Sequence, residues 1–402
     1  MEAGTLPERP AHVAADRVVD FDIYRLQDHA DDFFDAWLTL QRPDGPDLVW
    51  SPHNGGHWIV TGGEQIVALY PRSDLLSNSV VSVPREVGTL TRFIPLQSDP
   101  PLHAAYRTPI AKALDSKRVL AMEPMIRAAA RELAADAATQ DRYAFVEHFA
   151  EVLPIHAFLV LIGLPPEDRP MLRALAEQLN RPDGTMTPEE LVGNATTYLQ
   201  PYVDARLNDP GDDLLSAVLA QPVDGRPWTA DEAMRMCRNL LFGGLDTVAA
   251  LFGFVIRHLA AHPEQRAILR DDPKIIPRAT GEFTRRFGSV INARVAIADF
   301  TVDGQMIRNG DAVLLPTMLH NLDDRCFPDA RRVDFQRGMT KHSTMGHGPH
   351  RCLGASLAQL ELSILLEEWT RAVPEYRLDP DRPAAMSGGG VGSLQTLSLL
   401  IG

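Results

Sequence analysis

A mainly α-helical fold with small β-sheets is what this sequence predicts, and three features carry the prediction. Apolar residues recur at helical spacing through most of 102–287 and again over 354–372. Alternation of period two is confined to two short regions, 57–70 and 293–316. No stretch in the middle has the character of a linker, so the 402 residues read as one large domain although their number alone allows two or three.

In chain order, residues 1–16, MEAGTLPERPAHVAAD, are small, polar and proline-containing, which predicts a flexible N-terminal arm ahead of a single domain over 17–402. HWIVTGGEQIVALY (57–70) reads as a hairpin turning at Gly62-Gly63 and leading into a helix. Helices are expected at about 102–118, 121–138, 143–162, 167–180, 187–207, 229–261 and 275–287. Pro182-Asp183-Gly184 separates two of them and marks the tip of a mobile helical hairpin. ARVAIADFTVDGQMIRNGDAVLLP (293–316) turns at Asp303-Gly304 and Asn309-Gly310 and reads as a small sheet. A last helix, about 354–372, follows Cys352.

Composition narrows the function. Lys and Arg number 39 against 53 Asp and Glu, a net charge of −14, which argues against general nucleic-acid binding but leaves room for a local basic patch. Three cysteines, Cys237, Cys326 and Cys352, are too few for a disulfide framework and fit a reducing, cytoplasmic compartment. The first residues hold no apolar signal core, and no run reads as a membrane span.

The stretch TADEAMRMCRNLLFGGLDTVAALFGFVIRHLAAHP is the most informative helix. Thr229 and Glu232 form a capping box, and His262-Pro263 is a stop. Some 32 residues at 1.5 Å each make a rod of about 48 Å. It is apolar on most faces and therefore expected to be buried. Its centre nevertheless carries Gly243-Gly244, which costs about 1 kcal/mol per glycine relative to alanine, and then Asp246 and Thr247. Singly, such glycines pack helices and such a threonine bonds back to the carbonyl of Gly243. Together, inside a buried helix, they point to function, because local rules fail together at functional sites. A backbone opened there is a host for water or a small ligand.

A second cluster is TMGHGPHRCLG, where His347 and His350, with His342 just upstream, crowd Cys352 ahead of a helix. Gly346 and Gly348 let the backbone approach a flat or bulky object. The free N–H groups of the helix's first turn favour a thiolate. Three readings stand: a small buried hydrophobe, a zinc ligand with the histidines, or the single axial thiolate of a haem iron. The spacing matches none of the common zinc patterns, and no Cys-x-x-Cys pair lies elsewhere.

MGHGPHRCLG resembles the haem-binding loop of the cytochrome P-450 family, Phe-Gly-x-Gly-x-His/Arg-x-Cys-x-Gly. Two further signatures occur in the family's order. GGLDT resembles the oxygen-binding groove of its long central helix, and Glu282-Phe-Thr-Arg285 resembles its Glu-x-x-Arg pair. The resemblance runs from about residue 20 to the C-terminus. It is closest to the bacterial camphor-hydroxylating branch, notably at FIPLQSDPP, NRPDGTMT, RMCRNLLFGGLDTV and VDFQRG…HSTMGHGPHRCLG. It implies the family's triangular prism-shaped α+β domain and haem b, with Cys352 as the metal ligand.

The same resemblance implies roles for other residues. Arg107, Arg294 and His350 match holders of the haem propionates, and His103 lies one turn before Arg107 on the same helix face. Gly346 belongs to the haem loop. Glu282 and Arg285 would be a buried structural pair. Thr247 would bond the activated oxygen, and Asp246 would relay protons to it, gated by Arg173, Glu177 and Arg181 of the lid. Met345 departs from the family's usual phenylalanine. The substrate wall would comprise Ser82, Thr91, Asn239, Phe242, Gly243, Val290, Gly389 and Gly390. Thr91 stands where the camphor branch has a tyrosine, and Gly389-Gly390 replace two bulky residues. Camphor thus loses its donor, and a roomier apolar pocket suits a larger terpenoid or ionone-type norisoprenoid.

The implied partners are O2 and a [2Fe–2S] ferredoxin, docking near Arg107 and Arg351 and fed by an NADH-dependent FAD reductase. The protein would be a monomer, with neither nucleic acid nor membrane as partner. The alternatives are a peroxide-driven haem enzyme of the same fold, a zinc protein, or a ligand carrier without catalysis.

Overall fold

The long apolar rod exists, in two pieces: Ala230–Leu245 and Thr247–Ala261, parted at Asp246, whose φ of −125° and ψ of −36° leave the helical region. This computed structural model describes residues 6–29, 32–338 and 341–402. Thr229 and Glu232 form the expected capping box. By length and composition alone 230–261 is long and apolar enough to cross a membrane, but most of it is buried among other helices, as suits a core helix. Its two pieces pack against the helices Leu153–Ile162 and Pro188–Asn208 and the strand Ser393–Thr396.

A five-stranded sheet runs in the order Leu48–Ser51, His57–Val60, Ala312–Pro316, Ile291–Ala296, Leu76–Ser77. Only His57–Val60 against Ala312–Pro316 is parallel. Two expectations change here. The hairpin lies upstream of Gly62-Gly63: His57–Val60 pairs back on Leu48–Ser51 through a turn in which Asn54, Gly55 and Gly56 all have positive φ. Gly62 instead caps the helix Gly63–Leu69. Gly63 lets Asp323 come close, its N–H donating to Asp323 Oδ2 at 3.0 Å. The segment 293–316 splits: its ends join the large sheet, while Phe300–Val302 and Gln305–Ile307 form a separate hairpin turning at Asp303-Gly304.

Three more boundaries differ. The stretch 102–118 breaks after Leu102–Ala113, because the Asp115 carboxylate caps a new helix, Ser116–Ala121. The stretch 143–162 opens as a strand, Arg142–Ala144, which pairs with Ser398–Ile401, and a π-turn, Val146–Ala150, before the helix Leu153–Ile162. The N-terminal arm is not loose up to residue 16. Val13 is buried, His12 Nε2 lies 2.8 Å from Asp311 Oδ2, and Ala15–Arg17 forms a turn; residues 1–5 lie outside the described residues.

Candidate active site

The cysteine loop is shaped by its glycines. Gly346 and Gly348 have φ of +68° and +65°, and a side chain on Gly348 would strike Pro71 at 2.9 Å. The turn closes with the Cys352 N–H donating to the Met345 carbonyl at 2.7 Å, three residues before the helix Ala355–Ala372. Under the loop lies the Glu-x-x-Arg pair. Arg285 Nη2 donates to Glu282 Oε1 and Nε to Oε2, both at 2.8 Å, with both residues buried. Arg285 Nη1 also donates to the Asn321 carbonyl at 2.6 Å, and the Asn321 side chain holds Ser343 N at 2.7 Å and Thr344 Oγ1 at 2.8 Å. The ion pair therefore grips the loop through Asn321. That residue had no signature in the sequence.

The central helix is bare at one point. Gly243 is exposed in a helix whose neighbours Leu241, Phe242 and Leu245 are buried, and nothing lies within 4 Å of where its Cβ would stand. Cys352 is likewise exposed, yet burial pushes its thiol up, as for a group deep in the protein. The two facts agree if the sulfur faces an internal space rather than bulk water. Gly354 N–H, Arg107 and Arg351 work against the rise and favour the thiolate.

The polar rim of this space fits a dianionic ligand. The His103 and His350 rings pack at a tilt with centroids 4.1 Å apart, and Nε2 of each is buried without a partner among the described residues. Burial, then His103, Arg294 and Arg107, lower His350 to about 3. Burial, then Arg107, lowers His103. Both rings are therefore neutral, each with one N–H to donate. Arg294 is 3% exposed, lies over the Tyr70 ring and, among the described residues, bonds only the adjacent Ala293 carbonyl. Arg107 donates to the Arg351 carbonyl. These donors gathered beside Cys352 fit haem with its two propionates. A zinc site fits poorly: among the described residues no three His, Cys, Asp or Glu side chains cluster as metal ligands. His347 is engaged by Ser343 Oγ at 2.7 Å, which also meets His320 Nδ1.

Asp246, in the helix break, is met by the lid. Arg181 Nη2 lies 3.0 and 3.1 Å from its two oxygens, and Asn180 Nδ2 donates at 3.1 Å. Arg181 also holds Glu177 at 2.9 Å, while Arg173 holds Glu151 at 2.8 Å. Burial raises Asp246, with Arg181 opposing, and burial lifts Glu151 to about 7. Glu151 and Asn180 went unread in the sequence. The Thr247 hydroxyl makes a long 3.4 Å bond to the Gly243 carbonyl.

The expected substrate wall is brought together only in part. Phe242 packs on Phe93 at 5.7 Å beside the half-buried Asn239, and Val290 is half-buried. Ser82 Oγ is buried and unpartnered. Thr91 is 2% exposed and spends its hydroxyl on Gln97 Oε1 at 2.7 Å, so it is no free donor. Gly389 and Gly390 open no room. A side chain on Gly389, at φ +95°, would meet the Asn180 carbonyl at 2.1 Å, and Gly390 N–H bonds that same carbonyl at 3.3 Å. The lid's end fills the space that bulkier residues would take.

The chain is similar to known proteins. The family model "Cytochrome P450" matches residues 284–382. The cytochrome P450 monooxygenase PikC of Streptomyces venezuelae is 31% identical over 363 residues, 88% of this chain and 86% of PikC. Nocardicin C N-oxygenase of Nocardia uniformis subsp. tsuyamanensis is 32% identical over 355 residues, 84% of this chain and 87% of its own length. Among solved structures, cytochrome P450 CYP101C1 is 49% identical with a TM-score of 0.91, covering 98% of this chain and 100% of that one. CYP101J2, 36% identical, has the same TM-score and coverage.

Proposed function

The chain belongs to the cytochrome P450 family as a haem-thiolate monooxygenase close to the camphor-hydroxylating branch, and on that premise we propose that it hydroxylates a small apolar cyclic terpenoid or ionone-like norisoprenoid. When bound, haem b with a cysteine thiolate activates O2 with two electrons and two protons, placing one oxygen atom in a C–H bond and the other in water. The observation that carries the reading is the cluster of buried donors on His103, Arg294 and His350 beside Cys352 and Arg107.

The chain's residues then divide the work. Cys352 ligates the metal, and His103, Arg107, Arg294 and His350 give their free donors to the propionates. Asp246 would relay a proton toward Thr247 Oγ1 once the lid residues Arg181 and Glu177, which engage it here, let it go. This acid–hydroxyl pair favours the O2-driven reaction over a peroxide-driven one, which has no use for it. Phe242 and Val290 offer apolar walls. With Thr91 committed to Gln97, camphor's ketone finds no phenol donor there. Electrons come from a [2Fe–2S] ferredoxin fed by an NADH-dependent FAD reductase, to a monomer in the cytoplasm.

Two spectra test this. The reduced carbonyl adduct should absorb as a thiolate-ligated haem, and an adduct like myoglobin's would overturn the ligand assignment. Ionones and related terpenoids should displace iron-bound water and shift the haem from low to high spin, whereas a panel without any shift would refute the substrate class.

A further inference from the structure

The haem reading gives a task to one histidine of the cysteine loop, His350, and none to His347. It also leaves the stiffness of the loop unexplained. With glycines at 346 and 348 and a flexible Met345 beside them, the loop gains little rigidity from its own side-chain packing. Polar bonds hold it instead, and they converge on Ser343, which is fully buried. Its N–H donates to Asn321 Oδ1 and its carbonyl accepts from the Gly346 N–H, both at 2.7 Å. Its Oγ meets His320 Nδ1 and His347 Nε2, again at 2.7 Å each, so every polar atom of the residue is engaged.

Burial holds His320 at about 4 and lowers His347, with Arg351 adding to the second, so both rings are neutral near pH 7. A neutral imidazole has one N–H and one bare nitrogen, and a hydroxyl has one proton. Ser343 therefore gives its proton to one ring and accepts the N–H of the other, which closes a chain His320–Ser343–His347. His320 is 6% exposed and packs edge-on to Phe327 at 5.0 Å. It lies in the turn of helix Thr317–Asn321 that follows the strand Ala312–Pro316, so the chain ties the loop to the end of the large sheet.

From Ser343 the hold passes to the sulfur in two steps. The turn closed between Ser343 and Gly346 fixes the Met345 carbonyl, and that carbonyl takes the Cys352 N–H at 2.7 Å. The Gly354 N–H in turn bonds the Cys352 sulfur. A hydrogen bond to a thiolate draws electron density from it and is one of the levers that set the potential of a ligated iron.

We propose that Ser343, clamped between His320 and His347, is a positioning residue that raises the haem reduction potential by holding Cys352 where the Gly354 N–H reaches its sulfur. The inference rests on the haem-thiolate reading. It is separate from the Glu282–Arg285 grip, which reaches this serine only through Asn321 and the backbone N–H.

The test compares haem-loaded wild type, Ser343→Ala, His347→Leu, His347→Gln and the double variant Ser343→Ala/His347→Leu. The readouts are ferric/ferrous potentiometry, the reduced carbonyl spectrum and Tm. Ser343→Ala and His347→Leu should each favour ferric iron about threefold to tenfold, the scale of one lost hydrogen bond. At about 59 mV per tenfold that is a fall of about 30–60 mV. The double variant should fall no further than Ser343→Ala, because both changes cut the same chain. His347→Gln, whose amide reaches about as far as Nε2, should return toward wild type. Unmoved potentials, or falls that add in the double variant, overturn the proposal. So does a lower Tm with an unmoved potential, which makes Ser343 structural only. Should Ser343→Ala fail to hold haem, the two His347 variants decide: a fall with leucine that glutamine restores supports the clamp, and any other result sinks it. A wild-type carbonyl adduct without the thiolate band refutes the haem-thiolate reading and this proposal with it, whereas a normal wild type beside unmoved variants refutes the clamp alone.

Discussion

Thr247 is half-buried, and its only partner among the described residues, the Gly243 carbonyl, sits at a long 3.4 Å, so its hydroxyl is free to turn toward the open face of the helix. Thr247→Ala should leave the fold intact while NADH is spent on peroxide. Product per NADH should fall about tenfold or more, short of the roughly 10²–10⁴-fold that a positioned proton donor contributes to a rate; an unchanged yield would shift the reading to peroxide-driven chemistry. Glu151 gives a prediction in pH. Burial lifts its carboxyl from the ordinary 4.5 to about 7, against the pull of Arg173. The folded chain therefore binds this proton more tightly than the unfolded chain. The resulting stabilisation is complete below pH 4.5 and lost as pH rises to about 7. The Tm of wild type, compared with that of Glu151→Gln, should fall between about pH 5 and about pH 8, and two parallel Tm profiles would contradict this. Cys352, Asp246 and Thr247 stand out in the sequence because each violates a local rule within a dense motif. Glu151 and Asn180 were not, because a carboxylate or an amide on a half-exposed helix face resembles any other until the fold puts Arg173 or Asp246 against it.

At the scale of the helix, the adjacent glycines of the central rod do different work. A Cβ on Gly244 would stand 2.4 Å from the Phe158 ring, so this glycine lets the helix Leu153–Ile162 come close. A Cβ on Gly243 would meet nothing within 4 Å. Gly244→Ala should then cost about 1–3 kcal/mol of overpacking. Gly243→Ala should instead gain up to about 1 kcal/mol in helix propensity while its methyl narrows the haem space and weakens the substrate-induced spin shift. Denaturation midpoints of the two variants, read beside the spin titration, check the contrast. The rod, its cap and its fracture were all readable, since glycines, a charge and a hydroxyl in an apolar run leave few alternatives. The division of labour between the glycines was not, because Phe158 is 86 residues away in the chain and only packing brings it there. The small strands were missed for a similar reason. Leu76–Ser77 and Ser393–Thr396 are too short for alternation to show, and long-range pairing defines them.

Over the whole molecule the charge is −14, so an acidic ferredoxin is repelled from most of the surface and needs a local exception. The cysteine loop supplies one. Arg351 is exposed next to Cys352, and its carbonyl is gripped by Arg107, which fixes the two cations relative to the metal's ligand. Screening in physiological salt extends over about 8 Å, so such a patch acts at contact and not from a distance. Arg107 is also proposed to hold a propionate, so removing it would confound docking with haem binding. Arg351→Ala isolates the docking term. It should slow reduction by the ferredoxin at low ionic strength and flatten the decline of that rate with salt, while the rate with a small uncharged reductant stays the same. Equal rates for variant and wild type at every salt concentration would move the landing site off this face. A loss that persists with the uncharged reductant would instead make Arg351 part of the haem's own support.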